Sequence, residues 1–284
     1  MEPQAPYLLI DADVLAYQAA AAVERVVCWE NEICVPVASL GDALNDFDRR
    51  VHQACRALDA SPDHITLCFS CPAEENFRKR LYPQYKANRA GKPRPVALAF
   101  LRDVIINKEY PRHCVHLPGL EADDVLGILA TDPSYMPEFR KIVVSVDKDM
   151  KTIPCEFFDL NKGWDETGRA VVQKVTAEVA DQWFLTQALT GDTADGYPGC
   201  PGYGPVKAMK LFENVLEDQR GRRKKAVSVL WPVVMRAYHK AGFGREYALT
   251  QARLARILRS GEYNMKSGRP RLWQPPKQGV RHGK

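Results

Sequence analysis

The chain first becomes apolar at Tyr7-Leu8-Leu9-Ile10, and this run ends in Asp11-Ala12-Asp13. A short apolar run bounded by polar residues is typical of a buried β-strand. Acids that follow the run directly would lie at the carboxyl end of that strand. We therefore predict a strand at 7–10 that presents two carboxylates at its C-terminal end.

Strands and helices are predicted to alternate after this run. Apolar runs predict further strands at 65–69, 114–116, 142–146 and 155–159. Helices are predicted at 14–27, 42–59, 96–107 and 121–130, and residues 28–40 are expected to form an extended hairpin. This alternation predicts an α/β fold with a mostly parallel central sheet and helices on both faces.

The chain beyond residue 176 is predicted to be helical. Helices are expected at 177–190, 205–216, 227–241 and 245–258. Residues 191–205 are dense in Gly and Pro and must form a turn or loop, and 221–225 are expected to be an exposed connector. We predict an α/β core over 1–176, with a basic segment at about 76–102, and a helical region over 177–284 that ends in a basic tail.

Composition and the N-terminus favour a cytoplasmic protein. Of the 284 residues, 45% are apolar and 26% are charged, which is ordinary for a soluble globular chain. No apolar run approaches the roughly 20 residues that a membrane helix needs. The N-terminus, Met1-Glu2-Pro3-Gln4, lacks the basic region and apolar stretch of a signal peptide. We expect a cytoplasmic monomer with no membrane contact.

The eight cysteines do not have the spacing of a disulfide framework in a chain of this size. Cys68-Phe69-Ser70-Cys71 has no second pair to complete a zinc site. His113-Cys114-Val115-His116 also falls short of four ligands in closed geometry. We therefore expect reduced thiols on and beside strands.

Positive charge is concentrated in two blocks. The net charge is 40 − 35 = +5, which is modest. Residues 76–102 contain eight basic residues and no acid, and residues 251–284 contain nine basic residues and one acid, Glu262. Such blocks suit a polyanionic partner, although one block alone would more often be a solvated surface.

Four groups of acids are placed where a site could form. Ligands bind outside the carboxyl ends of the strands in an open parallel sheet. Two groups follow predicted strands, one opens a helix, and one lies in the Gly-rich turn. They are Asp11 with Asp13, Asp147 with Asp149, Glu121 with Asp123 and Asp124, and Asp192 with Asp195. Glu121 and Asp124, three residues apart, can share one helical face.

Crowded carboxylates favour a bound cation, because they repel one another and otherwise resist ionisation. Hard oxygen ligands select Mg²⁺ or Mn²⁺. Two such ions about 4 Å apart can activate a water and stabilise the leaving oxygen of a phosphodiester. A single acid could instead cap a helix or be solvated, but four groups together indicate a metal site.

Five motifs occur in order along nearly the whole chain. They are Ile10-Asp11-Ala12-Asp13; Asn76-Phe77-Arg78-Lys79 with Tyr82-Pro83-Gln84-Tyr85-Lys86-Ala87-Asn88-Arg89; Leu120-Glu121-Ala122-Asp123-Asp124-Val125; Ser145-Val146-Asp147-Lys148-Asp149-Met150-Lys151; and Gly191-Asp192-Thr193-Ala194-Asp195-Gly196-Tyr197. Together they resemble the 5′-nuclease (flap endonuclease-type) family, and within it the 5′→3′ exonucleases of T7-like bacteriophages. The endings Leu254-Ala255-Arg256-Ile257-Leu258-Arg259 and Leu272-Trp273 also resemble that phage branch.

The resemblance implies a 5′→3′ exonuclease that uses two Mg²⁺ or Mn²⁺ ions. It would hydrolyse DNA in phage replication or host DNA degradation, in the host cytoplasm, with flap cleavage and primer removal as further candidate activities. The implied partner is double-stranded DNA with 5′ ends or flaps, and an RNA–DNA hybrid is a further candidate.

The resemblance also implies residue roles. The first metal would be bound by Asp13, Glu121, Asp123 and Asp124, with Asp11 as the alternative to Asp13. The second metal would be bound by Asp147, Asp149, Asp192 and Asp195, some of them through water. Arg78, Lys86 and Arg89 would contact the phosphate at the reacting 5′ end, and Lys79 and Arg80 would bind DNA nearby. Replacing Asp124 or Asp147 should abolish activity.

The helical region is implied to hold duplex DNA. Residues 199–205 resemble the hairpin of the family's helix–turn–helix element, where glycines let backbone amides approach a phosphate. Gly202, Gly204, Lys207 and Lys210 would contact the DNA backbone, and K⁺ is a candidate ion at the hairpin. Such contacts fix register without reading sequence.

One position departs from the family pattern. The family usually has an aspartate just after the second strand, in a Phe-Asp or Phe-Thr-Asp context, whereas this chain has Phe69-Ser70-Cys71-Pro72. Glu74 or Glu75 could reach the site from the loop. Alternatively, the first metal could manage with one carboxylate fewer, or bind more weakly.

Two other functions stay open at this point. A structure-specific DNA-binding protein that has lost catalysis would fit the missing aspartate, although the retained acids would then repel DNA. A PIN-like ribonuclease would share the acidic sheet edge, but the Gly-rich element and the basic tail favour DNA.

Overall fold

The computed structural model describes residues 4–29, 32–217 and 226–276. The α/β part contains β1 Pro6–Asp11, α1 Ala12–Val23, β2 Arg25–Cys28, β3 Cys34–Val37, α2 Leu40–Ala57, β4 Ile65–Phe69, α3 Phe77–Leu81, α4 Leu98–Val104, β5 Cys114–His116, α5 Ala122–Thr131, β6 Arg140–Ser145, β7 Glu156–Asp159 and β8 Gln173–Lys174. The helical part contains α6 Ala177–Thr190, α7 Pro205–Glu217, α8 Ala226–Lys240, α9 Arg245–Ala255, β9 Tyr263–Asn264 and β10 Arg269–Pro270. The predicted connector at 221–225 lies outside the described residues.

One six-stranded sheet, in the order β5-β4-β1-β6-β7-β8, organises the α/β part. Neighbouring strands are parallel except β7 and β8, so the predicted mostly parallel sheet is confirmed. β1 lies between β4 and β6, with Leu8 level with Ile65 on one side and Ile142 on the other. The residues that follow these three strands therefore meet at one edge of the sheet.

Both faces of the sheet are covered by helices. Alternate residues of a strand point to opposite faces. Leu8 and Ile10 pack with α1, α2 and α4, whereas Leu9 packs with α5 on the other face. All three side chains are completely buried. This explains why the run that begins at Tyr7 is continuously apolar rather than alternating.

Acidic side chains at the sheet edge also cap the N-termini of two helices. The side chain of Asp11 caps α1 by accepting from the Val14 amide at 3.3 Å. Because α1 begins at the next residue, Asp13 in its first turn is held at the carboxyl end of β1. Glu121 and Asp124 form a reciprocal capping box at the start of α5.

The helical part has its own core. The buried Tyr238 of α8 donates a hydrogen bond to the Ala188 carbonyl of α6 at 2.6 Å. Trp273 packs against Phe184 of α6 and Trp231 of α8, with ring centroids 5.1 and 5.0 Å apart. The chain after α9 therefore returns to α6.

Several local predictions differ from the structure. The helix predicted at 14–27 ends at Val23, because the β-branched residues after it pair in the β2–β3 hairpin. The helix predicted at 96–107 is α4 followed by a π-type turn at Ile105–Glu109. The short helix α3 in the basic segment was not predicted, and neither was the β9–β10 pair.

Cys28 and Cys34 are joined by a disulfide across the β2–β3 hairpin. The prediction of reduced thiols is wrong for this pair, because antiparallel pairing brings together two residues whose spacing gives no such signal. The other six cysteines are free. Among the helices of the described ranges, none combines the length and apolar character that crossing a bilayer requires.

Candidate active site

A cavity of about 270 Å³ opens at the carboxyl edge of the sheet. Carboxylates from four separate parts of the chain line it, together with Lys86, Arg89 and Lys148. The acids are Asp11, Asp13, Glu121, Asp123, Asp147, Asp149, Asp192 and Asp195. The structure thus brings together every predicted metal ligand except Asp124.

The end of β1 supplies the first pair of acids. Asp11 is only 2% exposed and accepts a hydrogen bond from the Ser145 hydroxyl at 2.8 Å. Asp13 is more exposed. One of its oxygens accepts from the Ser70 amide at 2.8 Å, and the other lies 3.2 Å from Nε of Arg102. Asp11 is therefore fixed within the sheet edge, whereas Asp13 lies between a backbone amide and a cation.

The end of β6 supplies the second pair. Asp147 caps a short 3₁₀ turn by accepting from the Asp149 amide at 2.8 Å. Asp149 accepts from the Gln187 amide group of α6 at 2.6 Å. The Ser145 hydroxyl that donates to Asp11 also accepts from the Asp147 amide at 3.1 Å. Ser145 therefore links the ends of β1 and β6.

The start of α5 supplies Glu121 and Asp123. Glu121 is the N-cap residue, and its carboxylate contacts the Lys86 ammonium and accepts from the Tyr85 hydroxyl at 2.9 Å. Asp123 lies in the first turn and faces the cavity. The positive end of the helix dipole favours negative charge at both positions.

The Gly-rich loop supplies Asp192 and Asp195. Asp192 accepts from the amides two and three residues further on, at 2.7 and 3.2 Å. Asp195 accepts from Nη2 of Arg89 at 2.8 Å, and it shares the single proton of the Tyr85 hydroxyl, whose oxygen is 2.8 Å away, with Glu121. The Lys86 amide donates to the Asp195 carbonyl at 2.7 Å. The basic segment is therefore bonded directly to this loop.

Burial and mutual repulsion make several of these acids hard to ionise. Burial, together with the nearby Asp13, raises the pKa of Asp11 to about 7. Burial, together with repulsion from Asp147, raises the pKa of Asp149 to about 7. Burial and repulsion also raise the pKa of Asp123 well above its usual range. Carboxylates behave in this way where no cation compensates their charge.

The pKa of Glu121 is shifted in the opposite direction, because cations surround its carboxylate. Burial alone would raise its pKa, but Lys86 and Arg78 lower the pKa to about 2. Burial likewise opposes the charge on Lys86, but Glu121 and Asp195 raise its pKa. Glu121 is therefore neutralised by cations of the chain itself, unlike Asp11 and Asp149.

Arg78 and Asp124 do not line the cavity, and their predicted roles in phosphate and metal binding stay predictions. Asp124 is completely buried and Arg78 is 2% exposed. Arg78 donates to both Asp124 oxygens at 2.6 and 2.8 Å, and to the carbonyls of Leu254 and Arg256. The Leu258 amide donates to Asp124 at 3.1 Å. The pair joins the α/β part to the end of α9 and the chain after it, and Nη1 of Arg78 also contacts the cavity residue Glu121 at 3.2 Å.

A larger cavity of about 810 Å³ adjoins the acidic one. Five residues line both cavities, namely Asp13, Ser70, Lys86, Arg89 and Glu121. The rest of its lining is rich in cations, namely Lys79, Lys92, Arg94 and Arg102. The predicted DNA contact Lys79 is thus in this groove, whereas Arg80 is exposed and lines neither of these two cavities.

The predicted DNA contacts of the helical part form one exposed surface. Gly202 and Gly204 are exposed, with open space where a Cβ would be. Lys207 and Lys210 are exposed on α7, one helical turn apart. Lys207 donates to the Gly202 carbonyl at 2.9 Å. The hairpin and α7 therefore present backbone groups and two ammonium groups together.

Four residues that support the site were not predicted from the sequence. Tyr85 lies inside a motif whose cations were predicted, and its position beside Lys86 was the available signal. Ser145 likewise lies inside a quoted motif, two residues before Asp147, whereas Gln187 and Arg102 gave no signal because each contacts an acid that is remote in sequence.

Comparison with known proteins gives a consistent set of relatives. Residues 6–178 match the family model for the 5′-3′ exonuclease N-terminal resolvase-like domain. An exodeoxyribonuclease of Enterobacteria phage T3 is 34% identical over 94% of this chain and 92% of its own length. An exonuclease of Escherichia phage T7 is 33% identical over 94% of this chain and 93% of its own length.

A solved structure shares the fold. The flap endonuclease of bacteriophage T5, crystallised with DNA and metal ions, aligns with a TM-score of 0.55 at 14% sequence identity. The alignment covers 88% of this chain and 88% of the T5 chain.

Proposed function

The chain belongs to the 5′-3′ exonuclease family, and we propose that it is a metal-dependent nuclease that hydrolyses DNA from 5′ ends and at 5′ flaps. The observation that carries this proposal is the cavity in which carboxylates from β1, β6, α5 and the Gly-rich loop converge. The phage T3 and T7 relatives are named as exonucleases, and the T5 neighbour is a flap endonuclease crystallised with DNA and metal ions.

The donor set of the cavity fits a divalent metal ion. Asp11, Asp123 and Asp149 have raised pKa values, and none of them forms an ion pair within the described residues. Carboxylate oxygens are the ligands that Mg²⁺ and Mn²⁺ prefer. When bound, such an ion supplies the charge that favours attack of water on a phosphodiester and stabilises the leaving oxygen. In the described residues no group of three His, Cys, Asp or Glu side chains is already arranged around one point, so we expect small side-chain movements on binding.

Lys86 and Arg89 bind the phosphate at the reacting end in this proposal. Both line the acidic cavity and the adjoining basic groove. Both are held in place by carboxylates, Lys86 by Glu121 and Arg89 by Asp195 at 2.8 Å. A phosphate that enters from the groove meets these donors at the junction of the two cavities, where charge-assisted hydrogen bonds stabilise developing negative charge.

The exposed surface of the hairpin and α7 holds the duplex in this proposal. Backbone amides near Gly202 and Gly204, together with Lys207 and Lys210, contact phosphates without reading sequence. A K⁺ ion at the hairpin and an RNA–DNA hybrid as a second substrate belong to the same proposal.

Duplexes labelled at the 5′ end test the proposed function. With Mg²⁺ or Mn²⁺ we expect short labelled 5′ products, and with EDTA we expect none. A 3′-labelled duplex is the matched control and should shorten progressively instead. A 5′-flap duplex and an RNA–DNA hybrid compare the candidate substrates. The absence of any metal-dependent 5′ product would reject the proposal, and preferred cleavage of duplex RNA would favour a ribonuclease.

A further inference from the structure

The carboxyl end of β4 carries no acid, although β1 beside it and β6 on the far side of β1 are each followed by two. The residue at this position is Ser70. Its amide donates to Asp13 at 2.8 Å and its hydroxyl accepts from the Ala122 amide at 2.9 Å. Ser70 therefore aligns Asp13 and the start of α5 but adds no negative charge to the cavity.

A cation from α4 occupies this end of the site. Nη2 of Arg102 donates to the Ser70 carbonyl at 2.9 Å, and Nε lies 3.2 Å from Oδ1 of Asp13. The guanidinium lies over the Phe69 ring, with its carbon 5.4 Å from the ring centroid. Three contacts thus fix the guanidinium beside Asp13, where a strand-end acid would have bound metal.

Both oxygens of Asp13 are already engaged. Oδ2 accepts from the Ser70 amide, and Oδ1 faces the Arg102 guanidinium. A metal ion that used Asp13 would have to displace Arg102 or lie beside its positive charge. By contrast, Asp11, Asp123 and Asp149 form no ion pair within the described residues.

The net charge at the Asp13 end is the same whether a divalent ion with a further carboxylate lies there or the Arg102 guanidinium does. A divalent ion with one additional carboxylate ligand contributes +2 − 1 = +1, which equals the charge of one guanidinium. Nε of Arg102 is buried against Asp13. Arg102 lines the basic groove that meets the acidic cavity at Asp13. Arg102 therefore places a positive charge at the junction where a phosphate would enter.

We propose that Arg102 takes the place of one divalent ion at the Asp13 end of the site, so that the DNA-free chain binds one ion tightly rather than two. The bound ion lies at the opposite side, among Asp11, Asp123, Asp147 and Asp149, and Arg102 contacts the substrate phosphate directly. This inference rests on the proposed nuclease function and revises its expected number of metal ions.

Counting Mn²⁺ ions tests the inference without measuring activity. The full chain, free of DNA, is titrated with Mn²⁺ while electron paramagnetic resonance follows the unbound ion. We expect one tightly bound ion in the wild-type protein. A second tight ion in the wild-type protein would overturn the inference.

A paired substitution provides the complementary test. The double variant Cys71→Asp, Arg102→Leu places an acid just after β4 and removes the competing cation. The number of tightly bound Mn²⁺ ions should then rise from one to two. Arg94→Leu is the matched control, because it removes a cation from the same groove but not from beside Asp13, and the count should stay at one. A folded double variant that still binds one ion would overturn the inference. If the double variant does not fold, the number of Mn²⁺ ions bound tightly by the wild-type protein decides whether the inference stands.

The outcome is separable from that of the proposed function. If the wild-type protein binds two Mn²⁺ ions tightly and still cleaves labelled duplex in a metal-dependent way, only the role of Arg102 is refuted. A loss of metal-dependent cleavage refutes the proposed function, whatever the ion count.

Discussion

One buried ion pair joins the α/β part to the chain after α9. Arg78 uses its donors on Asp124, on Glu121 and on the carbonyls of Leu254 and Arg256, so the pair has no free group for substrate. Removal of one partner from a buried pair leaves an uncompensated charge and costs about 3–5 kcal/mol. We therefore expect Asp124→Asn to lower the free energy of unfolding, measured by urea denaturation, by about that amount.

Asp147→Asn is the control for this prediction, because Asp147 lies in the cavity and forms no ion pair within the described residues. It should leave the unfolding free energy close to the wild-type value. Replacing both partners, with Arg78→Met and Asp124→Leu, should recover part of the stability lost in Asp124→Asn. A variant Asp124→Asn that is as stable as the wild type but inactive would favour the predicted role of Asp124 as a metal ligand over a structural one.

A second prediction at this scale concerns the pH dependence of stability. The pKa of Asp149 is raised from 3.8 to about 7 in the folded chain. Without metal, the folded state therefore binds this proton more tightly than the unfolded state, and stability is lost as pH rises through the window between these two values. Asp149→Asn removes this effect. The melting temperature of the variant relative to wild type should thus increase between about pH 5 and about pH 8 in EDTA.

Saturating Mg²⁺ is the control for the Asp149 prediction. The ion compensates the charge of Asp149 in the wild-type protein and should stabilise the wild type more than the variant at the higher pH. The raised pKa would be contradicted if the difference in melting temperature in EDTA were the same at both pH values.

At the scale of elements, the crossing of Gly191 and Gly199 holds the acidic loop against α6. Both residues have positive φ, of 70° and 66°. A Cβ on Gly199 would collide with the backbone of Thr190 and Gly191. Gly199→Ala should lower the free energy of unfolding by roughly 2–4 kcal/mol, because backbone strain and a steric clash add together.

Gly202→Ala is the matched control for the loop. Gly202 also has positive φ, of 79°, but nothing lies within 4 Å of the position of its Cβ. Only the backbone cost of about 1–2 kcal/mol should appear in its unfolding free energy. Equal losses in the two variants would show that the close crossing does not constrain this loop.

The elements that carry the site could be predicted because their signals are local. The apolar run before Asp11 and the start of a helix at Glu121 are each encoded by neighbouring residues, and the sheet order then brings their acids together. The contact between Arg102 and Asp13 could not be predicted, since it depends on where α4 packs. The burial of Asp124 could not be predicted either, because the acidic motif indicates where a helix starts but not which of its carboxylates is buried.

At the scale of the whole molecule, binding of DNA should depend steeply on salt. The basic groove and the hairpin surface neutralise phosphates, and each neutralised phosphate contributes about 0.9 to the slope of log affinity against log salt. Replacing Lys207 and Lys210 together with Ala should reduce that slope by about 2. Fluorescence anisotropy of a labelled duplex, with Ca²⁺ in place of Mg²⁺, measures the slope.

Lys162→Ala is the control for the salt prediction. Lys162 is exposed in the connection between β7 and β8 and lines neither of the two cavities described above. Its removal should leave the slope unchanged. A flat salt dependence of the wild-type chain would count against the groove and the hairpin as the DNA-binding surface.

The most direct test of the nuclease site is the single-turnover rate at which 5′ products leave a labelled duplex in Mg²⁺. Asp147→Asn removes an acid of the cavity, whereas Asp165→Asn removes an exposed acid between β7 and β8. We predict that Asp147→Asn slows the rate about a thousandfold, since several kcal/mol of charge stabilisation are lost, while DNA affinity is kept. Asp165→Asn should cleave at the wild-type rate. Wild-type cleavage by Asp147→Asn would contradict the assignment of this cavity as the nuclease site.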